Sequence, residues 1–302
     1  MPSSGSSLRT AAAPWLAAAL LAAAGALPAA AAVPAVPAAC DRACLTAVVD
    51  DYLAHMVRRS PAGLPLARGI VATENAEPTA PGDGGAWNDF TAVRAGQTFT
   101  DPSAGQALFS GVLENNRGEL TPMDVRLKVR AGEIVESEIV FNTGPGRFFQ
   151  PWNMLQPDIL YDVEVPAARR LSREQMISLI GQYFGAIASG DASQLPLSVR
   201  CDKYYAGARV TNSEDGVGTC RGSFKGLTML PVTKPRFPVV DPERGIIVAI
   251  FLLAGRSPAE RGGYEWEVFK IIDGQIRSVE ELGSVARQET ILNLFSSDQV
   301  GR

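Results

Sequence analysis

The chain carries two diverged copies of one pattern, and this repeat limits its fold more than any other feature. Apolar residues recur at helical spacing around Tyr52 and again around Tyr183, 131 positions later. At the same offset, residues 64–66 (Leu-Pro-Leu) fall on residues 195–197, which have the same sequence. We therefore predict a tandem duplication of one small unit.

The ends of the two copies also match. Residues 127–134 correspond to residues 269–276 at an offset of 142, so the second copy holds about eleven additional residues in between. Both segments alternate apolar and polar residues around a glycine, which predicts a closing hairpin. Residues 246–253 are apolar on both faces, which predicts a central strand covered by a helix on one side and by a sheet or partner on the other.

The repeat divides the chain into segments. We predict a first unit over 40–141, a connector over 142–170 that is rich in proline and aromatic residues, and a second unit over 171–302. Each unit is predicted to be α+β, with a helix, a strand after the Leu-Pro-Leu step, an irregular middle and the closing hairpin.

Residues 1–39 are predicted to be a signal peptide. A polar start with Arg9 precedes an Ala/Leu-rich run over 11–27 and an Ala/Val/Pro tract, the order typical of a secretory signal. The run is short for a membrane span. We expect an exported protein, periplasmic or secreted, with no membrane attachment after cleavage. An uncleaved anchor and a lipoprotein modified at Cys40 are the alternatives.

The charge balance argues against nucleic acid as a partner. Arg9 is the one charged residue in the leader, so the rest of the chain carries 27 basic against 32 acidic residues. No long run of either sign is present, and no basic stripe is available to follow phosphates.

The cysteines predict disulfides rather than a metal site. Their number is even, which in an exported chain favours disulfide bonds. Cys40–Cys44 with Cys201–Cys220 is the most local of three connectivities. Metal binding is the weaker reading, because His55 is the single histidine and no Cys-x-x-Cys occurs. We expect neither a metal nor another cofactor.

Several motifs resemble a known family. They are the Leu-Pro-Leu step, Thr73-Glu74-Asn75, Gly82-Asp83-Gly84 followed by Trp87, and the closing Leu-Lys-Val-x-x-Gly-x-Ile hairpin. Together they resemble an exported family of unknown function from fungi and bacteria. That family is similar to the SnoaL-like and nuclear transport factor 2-like proteins, and the resemblance covers most of residues 40–295.

The resemblance implies two cone-shaped units, each a curved antiparallel sheet wrapped around its N-terminal helix with a pocket in the mouth. Proteins of this shape include isomerases, dehydratases, polyketide cyclases and lyases, alongside many that only bind or dimerise. The family pattern has Glu-Asn-Gly in the second copy as well, whereas this chain has Tyr205-Ala206-Gly207 there. This difference favours the first copy as the active unit.

Acid–base chemistry remains after other mechanisms are excluded. A serine triad lacks its elbow motif, and phosphate-binding loops are absent. Glu74 is the first candidate, since a carboxylate in an apolar cavity has a raised pKa suited to proton transfer. His55 is a second candidate, and Tyr52 a third. The structural alternatives are a turn tied by Glu74, a hydrogen-bonded His55 at the helix–sheet boundary, and core packing of Tyr52.

Other side chains are candidates for binding. Trp87 could wall an apolar ligand or cap the core, and Asn75 could bind or tie down a turn. Lys203, Tyr204 and Tyr205 could form a different site in the second copy, where a lysine–tyrosine pair would stabilise a developing oxyanion. The alternating basic residues at 126 and 128 are expected on a solvated strand face.

These observations favour an exported, cofactor-independent lyase or isomerase acting on a small apolar molecule, aromatic or polyketide-like. One alternative is a binding protein that carries a hydrophobic ligand without chemistry. Another is a structural module in which the cones pair through their sheets, and association into a homo-oligomer is a further option.

Overall fold

The computed structural model describes residues 40–144, 148–212, 218–226, 231–254 and 261–287. The predicted signal peptide and the last part of the predicted second unit, residues 288–302, lie outside this range. Both copies belong to one compact unit. Among the described residues, no helix is long and apolar enough to cross a membrane.

The first copy is a six-stranded sheet with a helix on one face. Its helices are α1 (Arg42–Val57) and the short α2 (Gly85–Asp89). Its strands are β1 (Leu66–Glu74), β2 (Glu77–Pro78), β3 (Phe90–Asp101), β4 (Gln106–Asn115), β5 (Leu120–Arg130) and β6 (Glu133–Phe141). They lie in the order β2-β1-β6-β5-β4-β3.

The second copy repeats this topology. It contains α3 (Arg173–Ser189) and the strands β7 (Leu197–Tyr205), β8 (Ala208–Arg209), β9 (Val232–Asp241), β10 (Ile246–Leu253), β11 (Arg261–Ile272) and β12 (Gln275–Arg287). The strand order is β8-β7-β12-β11-β10-β9. Strands β7 and β8 begin and end 131 positions after β1 and β2, so the two copies are similar domains in the register that the repeat predicts.

The sheets are mixed, and the expectation of antiparallel sheets is wrong. Strand β1 pairs in parallel with β6, and β7 pairs in parallel with β12, while the other pairings are antiparallel. The strand that follows each helix returns beside the last strand of its copy and runs in the same direction. Each copy is mostly curved sheet with few helices.

Helices α1 and α3 each pack on one face of their own sheet. Asp41 caps α1 by accepting a hydrogen bond from the amide of Cys44 (2.9 Å). Ser172 and Gln175 form a capping box at the start of α3, and Gly190 ends that helix in a left-handed conformation. The apolar stripes predicted from the sequence supply the buried faces of both helices.

The opposite faces of the two sheets pack against each other and form a third apolar cluster. Members from both copies include Phe99, Leu108, Val140, Val239, Val248, Ile250, Tyr264, Trp266 and Leu282. Strand β10 is buried on both faces, with Phe251 toward α3 and Val248 toward the other sheet. The prediction of a central, doubly covered strand over 246–253 is confirmed.

Two ion pairs join the copies at equivalent positions. Arg42 at the start of α1 binds Asp241 (2.7 Å), and Arg173 at the start of α3 binds Asp101 (2.5 Å). The two arginines lie 131 positions apart, at matching places in the repeat. Each copy therefore holds the other by the same contact.

The predicted disulfides form, and they have the most local of the three connectivities that the sequence left open. Cys40 pairs with Cys44 and Cys201 with Cys220, with Cα–Cα distances of 5.2 and 5.8 Å. Such bonds persist in oxidising compartments. The connector forms three short 3-10 helices, Pro151–Leu155, Ile159–Asp162 and Ala167–Arg169.

Candidate functional site

The predicted pocket at the mouth of the first copy is filled by its own side chains. Tyr52 Oη lies 2.6 Å from Ser137 Oγ, and the Tyr52 ring meets Trp87 edge-on at 5.3 Å between centroids. Glu74 borders the same place, but the cavity volume there is about 0 Å³. Trp87 and Tyr52 thus pack in the core of this copy.

Glu74 ties strand β1 to helix α2. Its Oε2 accepts a hydrogen bond from the amide of Ala86 (3.1 Å), in the first turn of α2. A Cβ at Gly84 would stand 1.9 Å from the same oxygen, so a larger residue there would displace the Glu74 carboxylate from this position. Burial raises the pKa of Glu74, and the bond from the Ala86 amide opposes that shift. A catalytic role for Glu74 stays a prediction.

Asn75 and His55 lie in local hydrogen-bond networks. Asn75 has a positive φ of 47° and its Oδ1 accepts a hydrogen bond from the amide of Phe141 (3.0 Å). His55 Nδ1 donates to the carbonyl oxygen of Ser60 (2.8 Å), and its Nε2 lies 3.6 Å from Asp51. His55 is not among the residues that border the first mouth, so the structure does not bring it together with Glu74.

The second copy has a buried charged cluster where the first copy is apolar. Lys203 Nζ donates to Glu267 Oε1 (2.8 Å) and to Tyr183 Oη (3.0 Å), and it lies 2.8 Å from Glu281 Oε2. Burial lowers the pKa of Lys203, but the carboxylates of Glu267 and Glu281 outweigh it and raise that pKa well above its usual value. Lys203 is thus held as a cation by its neighbours.

The predicted group of Lys203, Tyr204 and Tyr205 is divided between two places. The partner of Lys203 is Tyr183 rather than either tyrosine of β7. Tyr204 lines a cavity between the two copies. Burial raises the pKa of Tyr205 to about 12, and the charges of Glu265 and Glu281 add to the shift.

A cavity between the copies borders several buried titratable groups and has a volume of about 290 Å³. Its wall combines the first copy, the connector and the second copy. Its lining includes Ser110, Asp124, Met154, Asp158, Tyr204, Glu280, Glu281 and Leu282. None of the described residues in this wall is Lys, Arg or His. We call it the intercopy cavity.

Asp124 is the most unusual group in this wall. It is 2% exposed, and its Oδ1 has no hydrogen-bond partner among the described residues. Burial raises its pKa to about 8, the Ser110 hydroxyl opposes the shift by hydrogen bonding, and the charge of Glu280 adds to it. Asp124 is therefore largely protonated at neutral pH.

Glu280 is the second carboxyl of the cavity wall with a raised pKa. Burial raises its pKa to about 7, and the charge of Asp158 adds to the shift. Near neutral pH the cavity wall thus carries one carboxyl that is mostly a proton donor, Asp124, beside one that is about half ionised.

In the first copy, the glutamate at the position equivalent to Glu280 is paired with arginines. Glu138, 142 positions earlier, binds Arg126 and also Arg236 (2.8 Å). Although burial raises the pKa of Glu138, the charges of the two arginines lower it to about 2. Arg126 is 2% exposed, so its expected place on a solvated strand face is wrong: the second sheet covers that face.

Sequence reasoning missed the intercopy cavity. Asp124 stands alone between Met123 and Val125 in a strand that is buried on both faces. The available signal was that Asp124 is the one acidic residue of β5. Within the described part of the chain, no group of three or more His, Cys, Asp or Glu side chains is arranged to hold a metal.

The second copy is similar to a family described as "Domain of unknown function (DUF8021)", whose model matches residues 169–283. No curated protein matches the chain. The similarity to a family of unknown function agrees with part of the predicted resemblance, while the SnoaL-like relationship stays a prediction.

Solved structures show only distant likeness. A protein from Kribbella flavida DSM 17836 is 20% identical over 32% of this chain and 84% of its own, with a TM-score of 0.27. AclR from Streptomyces galilaeus, a candidate hydroxylase, is 15% identical over 42% of this chain and 92% of its own, with a TM-score of 0.28. A candidate isomerase from Bacillus subtilis is 13% identical over 32% of this chain and 86% of its own, with a TM-score of 0.25.

Proposed function

We propose that the protein is a small-molecule-processing enzyme of the lyase or isomerase class, with its acid–base site in the intercopy cavity. Asp124 is the observation that carries this proposal. A fully buried carboxyl with a free oxygen at the wall of a cavity of about 290 Å³ is costly to fold and is suited to act on a ligand.

The two carboxyls are suited to opposite roles. Asp124, with a pKa of about 8, donates a proton near neutral pH, and Glu280, with a pKa of about 7, accepts one. Two carboxyls whose environments separate their protonation states are the usual basis for moving a proton on and off one substrate. Tyr204 borders the same cavity and can orient the substrate through its hydroxyl.

The cavity is preferred over the first mouth because a substrate needs space. Glu74 and Tyr52 border a place of about 0 Å³, whereas Asp124 and Glu280 border about 290 Å³. We also propose that the protein is exported, that it needs no cofactor and that its substrate has an apolar body. The binding-protein alternative uses the same cavity without turnover.

Turnover by purified protein tests the proposal. The protein is incubated with a small-molecule extract of its own cells, and the compounds consumed and formed are followed by mass spectrometry. Asp124→Asn and Glu280→Gln should each lower the rate at least about 100-fold, the usual worth of a positioned acid or base. Glu133→Gln, on an exposed hairpin, is the control and should leave the rate unchanged.

Glu74→Gln decides between the two sites. If this variant loses turnover while Asp124→Asn and Glu280→Gln keep it, the active site is the first mouth and the proposal is wrong. Recovery of a bound compound that is never converted would instead identify a binding protein. With the substrate known, kcat/KM should peak between pH 7 and 8, since Glu280 must be ionised and Asp124 protonated.

A further inference from the structure

We infer that the intercopy cavity takes a small organic cation, with a primary ammonium group against Asp124 and Glu280 and an apolar body against Met154 and Leu282. This inference rests on the proposed site and adds the charge class of its ligand. It is carried by the wall of the cavity, by the free oxygen of Asp124 and by a comparison of the two copies.

The wall of the cavity favours positive charge. Four carboxyl residues line it, namely Asp124, Asp158, Glu280 and Glu281, and no basic side chain is among its described lining residues. Of these four carboxyls, Lys203, which lies outside the cavity wall, pairs with Glu281 (2.8 Å). An anionic ligand would meet the remaining carboxyls without a counter-charge, so repulsion and desolvation disfavour it.

The free oxygen of Asp124 points to a ligand that donates hydrogen bonds. Asp124 is 2% exposed and Oδ1 lacks a partner within the described ranges, while the Ser110 hydroxyl serves the carboxyl elsewhere. A buried acceptor without a partner costs about 1–3 kcal/mol. An ammonium group supplies hydrogen-bond donors and a positive charge, so its binding favours the ionised form of Asp124 and releases the carboxyl proton to solvent. Charge-assisted hydrogen bonds of this kind are the stronger ones.

Comparison of the copies shows that a cation is missing from the second one. In the first copy, Arg126 lies opposite Glu138 in the β5–β6 register and neutralises it. In the second copy the equivalent pair is Val268 opposite Glu280. The second copy has the carboxyl but no arginine at this pair of positions, which leaves a place for a positive charge supplied by a ligand.

The size of the cavity limits the ligand. Small-molecule pockets span about 300–1,000 Å³, and about 290 Å³ is at the small end. Met154 and Leu282 contribute apolar surface to the same wall. A single ring that carries an aminomethyl group has the required size and both kinds of surface.

Three probes with one aromatic body and different charges test this inference by calorimetry at pH 7.5. They are benzylamine, which is protonated at this pH, neutral benzyl alcohol and anionic benzoate. With the disulfides intact, benzylamine should bind at least ten-fold tighter than benzyl alcohol, and benzoate should not bind. Asp124→Asn and Glu280→Gln should each weaken benzylamine at least ten-fold, whereas Glu133→Gln should not change its affinity.

The outcomes separate this inference from the proposed function because binding is measured without turnover. Equal affinity for benzyl alcohol and benzylamine, tighter binding of benzoate, or no binding by any probe would overturn the cation assignment. Unchanged benzylamine affinity in both cavity variants would do the same. Thermal unfolding and circular dichroism of each variant show that it is folded, and the two variants act as independent tests.

Discussion

Asp124 and Glu280 are held in the protein interior without the arginines that accompany Glu138. A buried carboxyl without a cation favours its protonated form, and this preference has a thermodynamic consequence. In the unfolded chain an aspartate ionises near pH 4, whereas in the folded protein the pKa of Asp124 is about 8. The ionisation of Asp124 therefore favours the unfolded chain, and it lowers the free energy of unfolding most at high pH.

Asp124→Asn should change the pH dependence of stability. Below about pH 4 the carboxyl is protonated in both states, so it costs nothing. As the pH rises toward 8 the unfolded chain ionises and the folded protein does not, so wild-type stability falls. The melting temperature of Asp124→Asn relative to wild type should rise by several degrees between pH 5 and 8.5.

Differential scanning calorimetry across this pH range measures the effect. Asp50→Asn, at an exposed position of α1, is the matched control and should follow the wild-type curve. A constant difference between Asp124→Asn and wild type at all pH values would show that Asp124 ionises normally in the folded protein.

At the scale of elements, the sequence predicted those helices and hairpins whose formation depends on residues close together in the chain. The helical stripes and the glycine hairpins correspond to α1, α3 and the β5–β6 and β11–β12 turns. The parallel pairing of β1 with β6 was not predictable in the same way, because it joins strands separated by most of a copy. The strand directions were instead taken from the resemblance to a fold family, and this led to the wrong expectation of a purely antiparallel sheet.

The short helix α2 depends on a side chain from another element. Glu74 on β1 accepts a hydrogen bond at the first turn of α2, where a negative charge also favours the helix dipole. Glu74→Gln should lower the free energy of unfolding by about 1 kcal/mol, measured by urea denaturation. Glu77→Gln, at an exposed position of β2, should change it by less than about 0.5 kcal/mol.

Equal effects of Glu74→Gln and Glu77→Gln on stability would contradict this account of Glu74. The prediction is independent of turnover. A variant that loses stability but keeps full activity would place Glu74 in the structure alone.

At the scale of the whole molecule, the two copies act as partners within one chain. The arginines at the starts of α1 and α3 bind buried aspartates of the opposite copy. The duplication was readable from the sequence, but the intercopy cavity was not, because no single copy contains it. Asp124 becomes informative only after both sheets are known to cover its face, and the same geometry explains why Arg126 is buried.

Arg173→Gln should destabilise the protein more than an exposed arginine does. Asp101 is 2% exposed, so removing its cation leaves a buried charge, which costs about 3–5 kcal/mol when no other group compensates. Here the Val240 amide also binds Asp101 (3.0 Å), and about 2 kcal/mol is expected. Arg169→Gln, which breaks an exposed pair with Asp273, should cost less than about 1 kcal/mol.

Urea denaturation of both arginine variants provides the comparison. Unfolding should remain a single transition in each, because the copies share an apolar cluster. Two separate transitions, or equal losses for Arg173→Gln and Arg169→Gln, would contradict the view that the ion pairs join the copies.

Asp124 is expected to be a protonated acid at the wall of the intercopy cavity. Titration of the aspartate side-chain carboxyl carbons by ¹³C NMR, with the Asp124 signal assigned from Asp124→Asn, measures this most directly. We expect a midpoint near pH 8 in the free protein and a lower midpoint when benzylamine is bound. A midpoint near pH 4 that benzylamine leaves unchanged would contradict it.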